Sequence, residues 1–184
     1  MLYKKIKSLA LFLAFVVLCM SAPHSAFAQG YYTYDVIAEY NYQFDFLASL
    51  GIVDKQDIKD MSNEVTRSEY AKIISGFSGY NVGAASVEQK FADVKADEAN
   101  NVYIQYAVEC GYMEASGSIF NPEKPVSAET VLSSVIKVLG YDKCYSNMSA
   151  VQIAKSMELT EKVDAYLAKT VTYGVLTQIL INAL

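Results

Sequence analysis

The sequence predicts an all-helical protein built from three helix–loop–helix units, and three observations lead to that reading. First, a run opening at Val65-Thr66-Arg67-Ser68-Glu69 and ending at Gly79-Tyr80 returns as Val126-Ser127-Ala128-Glu129-Thr130, ending at Gly140-Tyr141, at a constant offset of 61 residues. Second, another copy opens at Val171-Thr172-Tyr173 and runs to Leu184. Third, each run places apolar residues at helical spacing behind a Thr or Ser suited to a helix N-cap. Self-similarity at a fixed interval marks a repeat array. One helix pair cannot bury its apolar stripe alone, so three are expected to pack as one compact body.

Residues 1–28 stand apart from this pattern. Lys4, Lys5 and Lys7 precede an apolar run from Leu9 to Met20, and Ala26-Phe27-Ala28 supplies a small-x-small triplet. Together they describe a secretory signal peptide cut before Gln29. Its apolar run is too short to span a bilayer comfortably, and no membrane span is expected after cleavage. A lipoprotein signal acylated at Cys19 is the rival reading, but Leu18 is not the small residue that normally precedes such a cysteine, and the better triplet lies downstream.

Removing these 28 residues and their three lysines from a chain of 184 residues with 15 basic and 20 acidic side chains leaves 156 residues and a net charge of −8. The one histidine, His24, goes with them, and Arg67 is the only arginine. Without imidazole the mature chain has no His-based triad, His metal ligand or imidazole pH switch, so no enzymatic role, cofactor or metal is expected. Its negative charge and lack of any Lys/Arg run argue against nucleic acid as a partner.

Along the mature chain, Gln29 to Gln43 carries Tyr31, Tyr32, Tyr34, Tyr40 and Tyr42, read either as the aromatic side of a leading helix or as a sticky surface strip. Phe46, Leu47 and Leu50 mark the first helix of unit one, Tyr103, Tyr106, Ala107 and Cys110 that of unit two, and Ala150, Ile153, Ala154 and Met157 that of unit three. Gly51 and Gly111 suit left-handed C-caps, and Glu158 occupies the corresponding place in unit three. The second helices carry Tyr70, Ile73, Ile74 and Phe77; Val131, Leu132, Val135, Val138 and Leu139; and Leu176, Ile179, Leu180 and Ala183. Thr66 with Glu69, and Ser149 with Gln152, spell capping boxes, whereas Ser127 and Thr172 keep only the cap. Asn121-Pro122-Glu123-Lys124-Pro125 is a turn-rich lead into the second cap. The resulting divisions are 29–80, a linker at 81–90 whose small polar stretch is Asn81 to Ser86, then 91–143 and 144–184.

Two further groups have open readings. Cys110 and Cys144 are either a disulfide formed in an oxidising exterior or two small buried hydrophobes. Asp93, Asp97 and Glu98 cluster acid groups, but the calcium-loop spacing with its central Gly is absent, so a solvated helix start is expected there.

Phe91-Ala92-Asp93-Val94, a helix ending at Gly111, Gly117-Ser118-Ile119-Phe120-Asn121-Pro122 and a Ser-capped helix ending Leu139-Gly140-Tyr141 together resemble a full S-layer homology motif. Val65-Thr66-Arg67-Ser68-Glu69 is similar to that family's signature Ile-Thr-Arg-Ala-Glu. The resemblance covers nearly all of the mature chain. It implies an all-helical, pseudo-threefold array of three units, secreted to the bacterial cell surface and attached non-covalently to secondary cell-wall polysaccharide. The expected ligand is a pyruvylated amino sugar whose acid group pairs with the signature arginine, here Arg67, with Thr66 and Glu69 fixing the helix start. One place past a cap, free amides and the helix dipole favour an anion, and a guanidinium adds a charge-assisted contact. Ala128 and Tyr173 occupy the arginine place in units two and three, so one site of this type is expected. The alternative is a structural or protein-interaction module with decayed carbohydrate pockets, binding other surface proteins. Larger members of the family carry an effector domain behind the array; this chain reads as a bare module or as part of a longer protein.

Overall fold

The structure, a computed structural model, describes residues 34–57, 60–80, 88–144, 147–164, 167 and 170–184. The signal segment with Cys19, the tyrosines at 31 and 32 and the Asn81–Ser86 stretch lie outside the described residues. Two compact units divide the chain, Met1–Ile37 and Ala38–Leu184, and the first is described only from Tyr34.

Among the described residues the regular structure is helical. The order is α1 Tyr34–Ser49, a short 3-10 turn Lys55–Asp57, α2 Arg67–Phe77, α3 Asn101–Glu109, α4 Ala128–Val138, α5 Ala150–Ser156 and α6 Tyr173–Asn182. Side chains set the starts. Thr66, Ser127, Ser149 and Thr172 sit in extended backbone, and each hydroxyl accepts from the amide three residues on. Glu69 and Gln152 complete both expected capping boxes. Asn100 precedes α3 without capping it through its side chain; its amide donates instead to Ser68 Oγ, 3.1 Å away, tying α3 to the start of α2.

The ends are equally regular. After α1, α3 and α5 the chain turns through a left-handed residue, Gly51 (φ 73°), Gly111 (φ 68°) and Glu158 (φ 61°). In all three the following amide reaches back five residues, from Ile52 to Leu47 O, Tyr112 to Ala107 O and Leu159 to Ala154 O. That is a Schellman closure. Glu158 adopts it without glycine's freedom, at a cost of about 1–2 kcal/mol.

Periodicity places the core with two shifts from expectation. In α2, Tyr70, Ile73 and Ile74 are buried, and in α4 Val131, Leu132 and Val135. Helix α6 is enclosed almost all round, with every residue from Tyr173 to Leu180 buried. In α1, by contrast, Leu47 is buried together with Tyr40, Gln43 and Phe44, whereas Phe46 (47% exposed) and Leu50 (50%) face solvent. Stepping back by three or four from Leu47 reaches 44, 43 and 40, which is the inward face; Tyr42, Phe46 and Leu50 share the opposite one. The tyrosine-rich segment thus serves both readings, with Tyr40 in the core and Tyr42 78% exposed. In α3 the buried line is Val102, Ile104 and Ala107, while Tyr103, Tyr106 and Cys110 lie half-buried on its flank. There Tyr80 stacks on Tyr106 at 3.7 Å between ring centroids, with Tyr103 and Tyr112 edge-on.

Polar groups inside the core fix register. Gln43 donates to Gln178 at 3.0 Å, Gln178 to Asn182 at 2.7 Å, and Asn182 to the carbonyls of Leu159 and Glu161. The Tyr70 hydroxyl crosses from α2 to bond Ser134 of α4, and its burial pushes the phenol pKa up. Gly174 allows α6 to approach α1, because a Cβ there would meet the Tyr40 ring at 2.6 Å.

Three valines join the runs that open α2, α4 and α6. Val65 N donates to Val171 O (2.9 Å), Val126 N to Val65 O (2.8 Å) and Val171 N to Val126 O (3.2 Å), closing a ring of backbone hydrogen bonds. All three side chains are fully buried. Isolated bridges flank the ring at Glu64–Thr172, Thr66–Pro125 and Ser127–Thr170.

Candidate functional site

Arg67 is the first residue of α2, and its helix start is built before its guanidinium is placed. The Thr66 amide and hydroxyl both donate to the Glu69 carboxylate, at 2.8 and 2.7 Å, and the Glu69 amide returns a bond to the Thr66 hydroxyl at 3.2 Å. The next donors are also taken. Arg67 N reaches Lys124 O at 2.8 Å and Ser68 N reaches Pro122 O at 2.9 Å. The sequence expectation of free amides for an anion therefore needs correction: the first amides of α2 hold the loop that leads into α4, and a ligand here must be met by side chains.

That loop is braced from below. Asp93 accepts from the amides of Phe120 (2.9 Å) and Asn121 (2.7 Å), which lets Asn121 hold a left-handed turn at φ 60°. Partial desolvation works to raise the Asp93 pKa, but those two amides, its own amide and the charge of Arg67 outweigh it and lower the value. Asp93 is thus a loop brace rather than part of a helix start. Residues 91–100 form turns, and α3 begins only at Asn101. The brace presents Phe120, itself fully buried and 5.7 Å from the Phe91 ring.

Arg67 docks on this frame. Its Nε donates to Phe120 O at 2.9 Å, a terminal nitrogen donates to Glu114 O, and its Cζ lies 4.5 Å above the Phe120 ring. The side chain is half-buried, so Arg67 is not a freely solvated surface arginine. Burial pulls its pKa down while Asp93 and Glu114 oppose that, and a guanidinium so placed stays charged. Among the described residues no carboxylate lies within 4.0 Å of it.

A cleft opens on each side of this arginine. One, of about 330 Å³, is lined by Tyr112, Glu114, Glu129, Thr130 and Ser133, and the other, of about 450 Å³, by Glu114, Ser116, Phe120, Asn121 and Lys124. Thr66 and Glu69 line neither; they hold the helix start from which Arg67 projects. Phe120, Glu114, Glu129 and Lys124 were not singled out by the sequence, although Phe120 stands inside the Gly117–Pro122 motif, where its place was visible.

The other two arginine places are enclosed. Ala128 is 8% exposed and Tyr173 3% exposed. Among the described residues the Tyr173 hydroxyl meets no partner in hydrogen-bond geometry, and burial, with the nearby Glu69 and Asp57 carboxylates, drives its pKa up. The cysteines also depart from expectation: Cys110 is half-buried, Cys144 is exposed, and both are free thiols. Residue 144 follows the turn after α4, beyond the core-facing stripe, so it is not the buried hydrophobe expected. Among the described residues no group of three His, Cys, Asp or Glu is placed to hold a metal, and no helix is long and apolar enough to cross a membrane. No family model matches the chain, and a search of curated proteins finds no match.

Proposed function

We propose that the protein is a secreted cell-surface module of the S-layer homology type, whose three helix pairs pack as a pseudo-threefold array and bind secondary cell-wall polysaccharide non-covalently through Arg67. The observation that carries the reading is the state of that one arginine. It is held by two main-chain carbonyls and an aromatic face, has no carboxylate within 4.0 Å among the described residues, and borders two clefts. A preorganised guanidinium outside any close ion pair among the described residues suits the acid group of a pyruvylated sugar, because little side-chain entropy remains to be lost on binding. The valine ring, with one member from each run, supports the threefold packing. Secretion rests on residues 1–28, and no catalytic role belongs to this reading.

The test is retention of the mature chain on purified wall sacculi, beside Arg67→Ala checked for folding by its melting curve. Loss of the charge-assisted contact is expected to weaken retention about tenfold or more. Equal retention of a folded Arg67→Ala protein removes Arg67 from the site, and no retention of the wild type removes the anchoring function.

A second reading, a module that binds another surface protein, has its own support. Tyr42, Phe46 and Leu50 form an exposed apolar line along α1, and two of the three arginine places are filled by buried side chains. A stable protein complex formed by a chain that ignores the sacculi favours it.

A further inference from the structure

We infer that the glycan held at Arg67 spans two subsites of opposite charge, with an acidic substituent on the Lys124 side and a sugar bearing a free amine on the Glu129 side. The inference rests on the wall-polysaccharide reading and adds the chemical class of the ligand.

The guanidinium is a partition. With Nε on Phe120 O, a terminal nitrogen on Glu114 O and its Cζ over the Phe120 ring, it cannot swing wholly into either cleft, and both clefts count it in their walls. The two sides then differ in sign. Toward the loop, Arg67 and Lys124 face a single carboxylate, Glu114, with Ser116 and Asn121 as neutral polar groups. Toward α4, Arg67 faces two carboxylates, Glu114 and Glu129, beside the hydroxyl-bearing Thr130 and Ser133 and the half-buried Tyr112.

Asp93 and Glu114 act on the Arg67 charge only from beyond ion-pair distance. Among the described residues none of Arg67, Lys124, Glu114 and Glu129 belongs to an ion pair within 4.0 Å, although five other pairs do form on the surface. The volumes sit near the lower end of pockets that enclose small organic ligands, about 300–1,000 Å³, which leaves room for roughly one sugar ring on each side. A purely anionic glycan would meet Glu129 as a like charge. A neutral one would leave Lys124 and Glu129 without partners. A segment with acid and amine on neighbouring residues satisfies both walls, and the Tyr112 ring offers the amphipathic surface that sugar rings stack on.

The experiment uses polysaccharide released from the sacculi, in its native form and after treatment with acetic anhydride, which turns each free ammonium into a neutral amide. Titration calorimetry with the mature chain is expected to show binding weakened about tenfold by N-acetylation, the factor expected for one lost charge-assisted hydrogen bond. Glu129→Gln is expected to bind the native polymer at that weaker level and to be indifferent to acetylation. Lys124→Ala is expected to weaken binding of both forms and to flatten its salt dependence. Wild-type binding that is unchanged or tighter after acetylation overturns the amine subsite while leaving the wall-polysaccharide reading standing. Binding of neither form removes both.

Discussion

The starts of α2 and α6 are the same backbone device with opposite outcomes. At α2 the amides of Arg67 and Ser68 donate to the carbonyls of Lys124 and Pro122; at α6 those of Tyr173 and Gly174 donate to Asn63 and Met61. The acceptors correspond one to one at the 61-residue offset. Arg67 rests half-buried on Phe120 between two clefts, whereas Tyr173 is sealed in, its hydroxyl without a partner in hydrogen-bond geometry among the described residues. One junction can therefore hold a charged group at a surface or close over an aromatic one. The difference lies in a single side chain and its neighbour: Ser68 turns its hydroxyl to Asn100, while Gly174 lets α1 press against the start of α6 through Tyr40.

The largest test of that contrast is truncation on each side. Tyr173→Ala empties a buried aromatic site and is expected to cost about 3–5 kcal/mol, a fall in melting temperature of roughly 10 °C for a chain of this size. Arg67→Ala opens to solvent and is expected to cost clearly less. Equal losses in calorimetric melts would mean that Arg67 is a packing residue like its counterpart.

A subtler change sharpens the same comparison. Tyr173→Phe keeps the ring and removes a buried hydroxyl that meets no partner in hydrogen-bond geometry among the described residues, so stability is expected to hold or to rise by up to about 1 kcal/mol. A clear drop in denaturant midpoint would show that the hydroxyl is satisfied in solution, with the Glu69 carboxylate, which acts on the phenol, as the candidate acceptor.

The smallest effect concerns the brace behind Arg67. Because the folded-state pKa of Asp93 is lowered, its contribution is fully present above the ordinary unfolded value of about 3.9 and is lost as pH falls through the folded value. Denaturation between pH 6 and pH 2 is expected to show a shallower acid limb for Asp93→Asn than for the wild type. Identical limbs would mean that the loop is held without that charge.

Much of the helical frame was legible before the structure because local chemistry writes it. Thr66, Ser127, Ser149 and Thr172 mark starts by a hydroxyl, and the places of Gly51, Gly111 and Glu158 mark ends by register, even where glycine itself is missing. What stayed hidden depends on partners distant in sequence. The amide ties from Arg67 and Ser68 to Lys124 and Pro122 leave no trace in side-chain pattern, since any residue supplies a carbonyl. Phe46 and Leu50 misled because two apolar residues beside a core position satisfy a helical spacing on either face. Arg67 was legible as a candidate, but its Phe120 platform and the clefts with Glu129 and Lys124 appear only when the start of α2 meets residues 111–133.

The valine ring bears on how the molecule comes to exist at all. Each of its three bonds spans a long stretch of chain, the longest from residue 65 to residue 171, and each valine is both donor and acceptor. Such closure sets a high loop-entropy barrier before any contact repays it. Val65 and Val126 can meet early, but the donor of one and the acceptor of the other stay open until Val171 arrives. Assembly is then decided by the arrival of the segment that carries Val171, and a shortened chain that stops before Val171 is expected to remain open and prone to proteolysis rather than to persist as a smaller stable module.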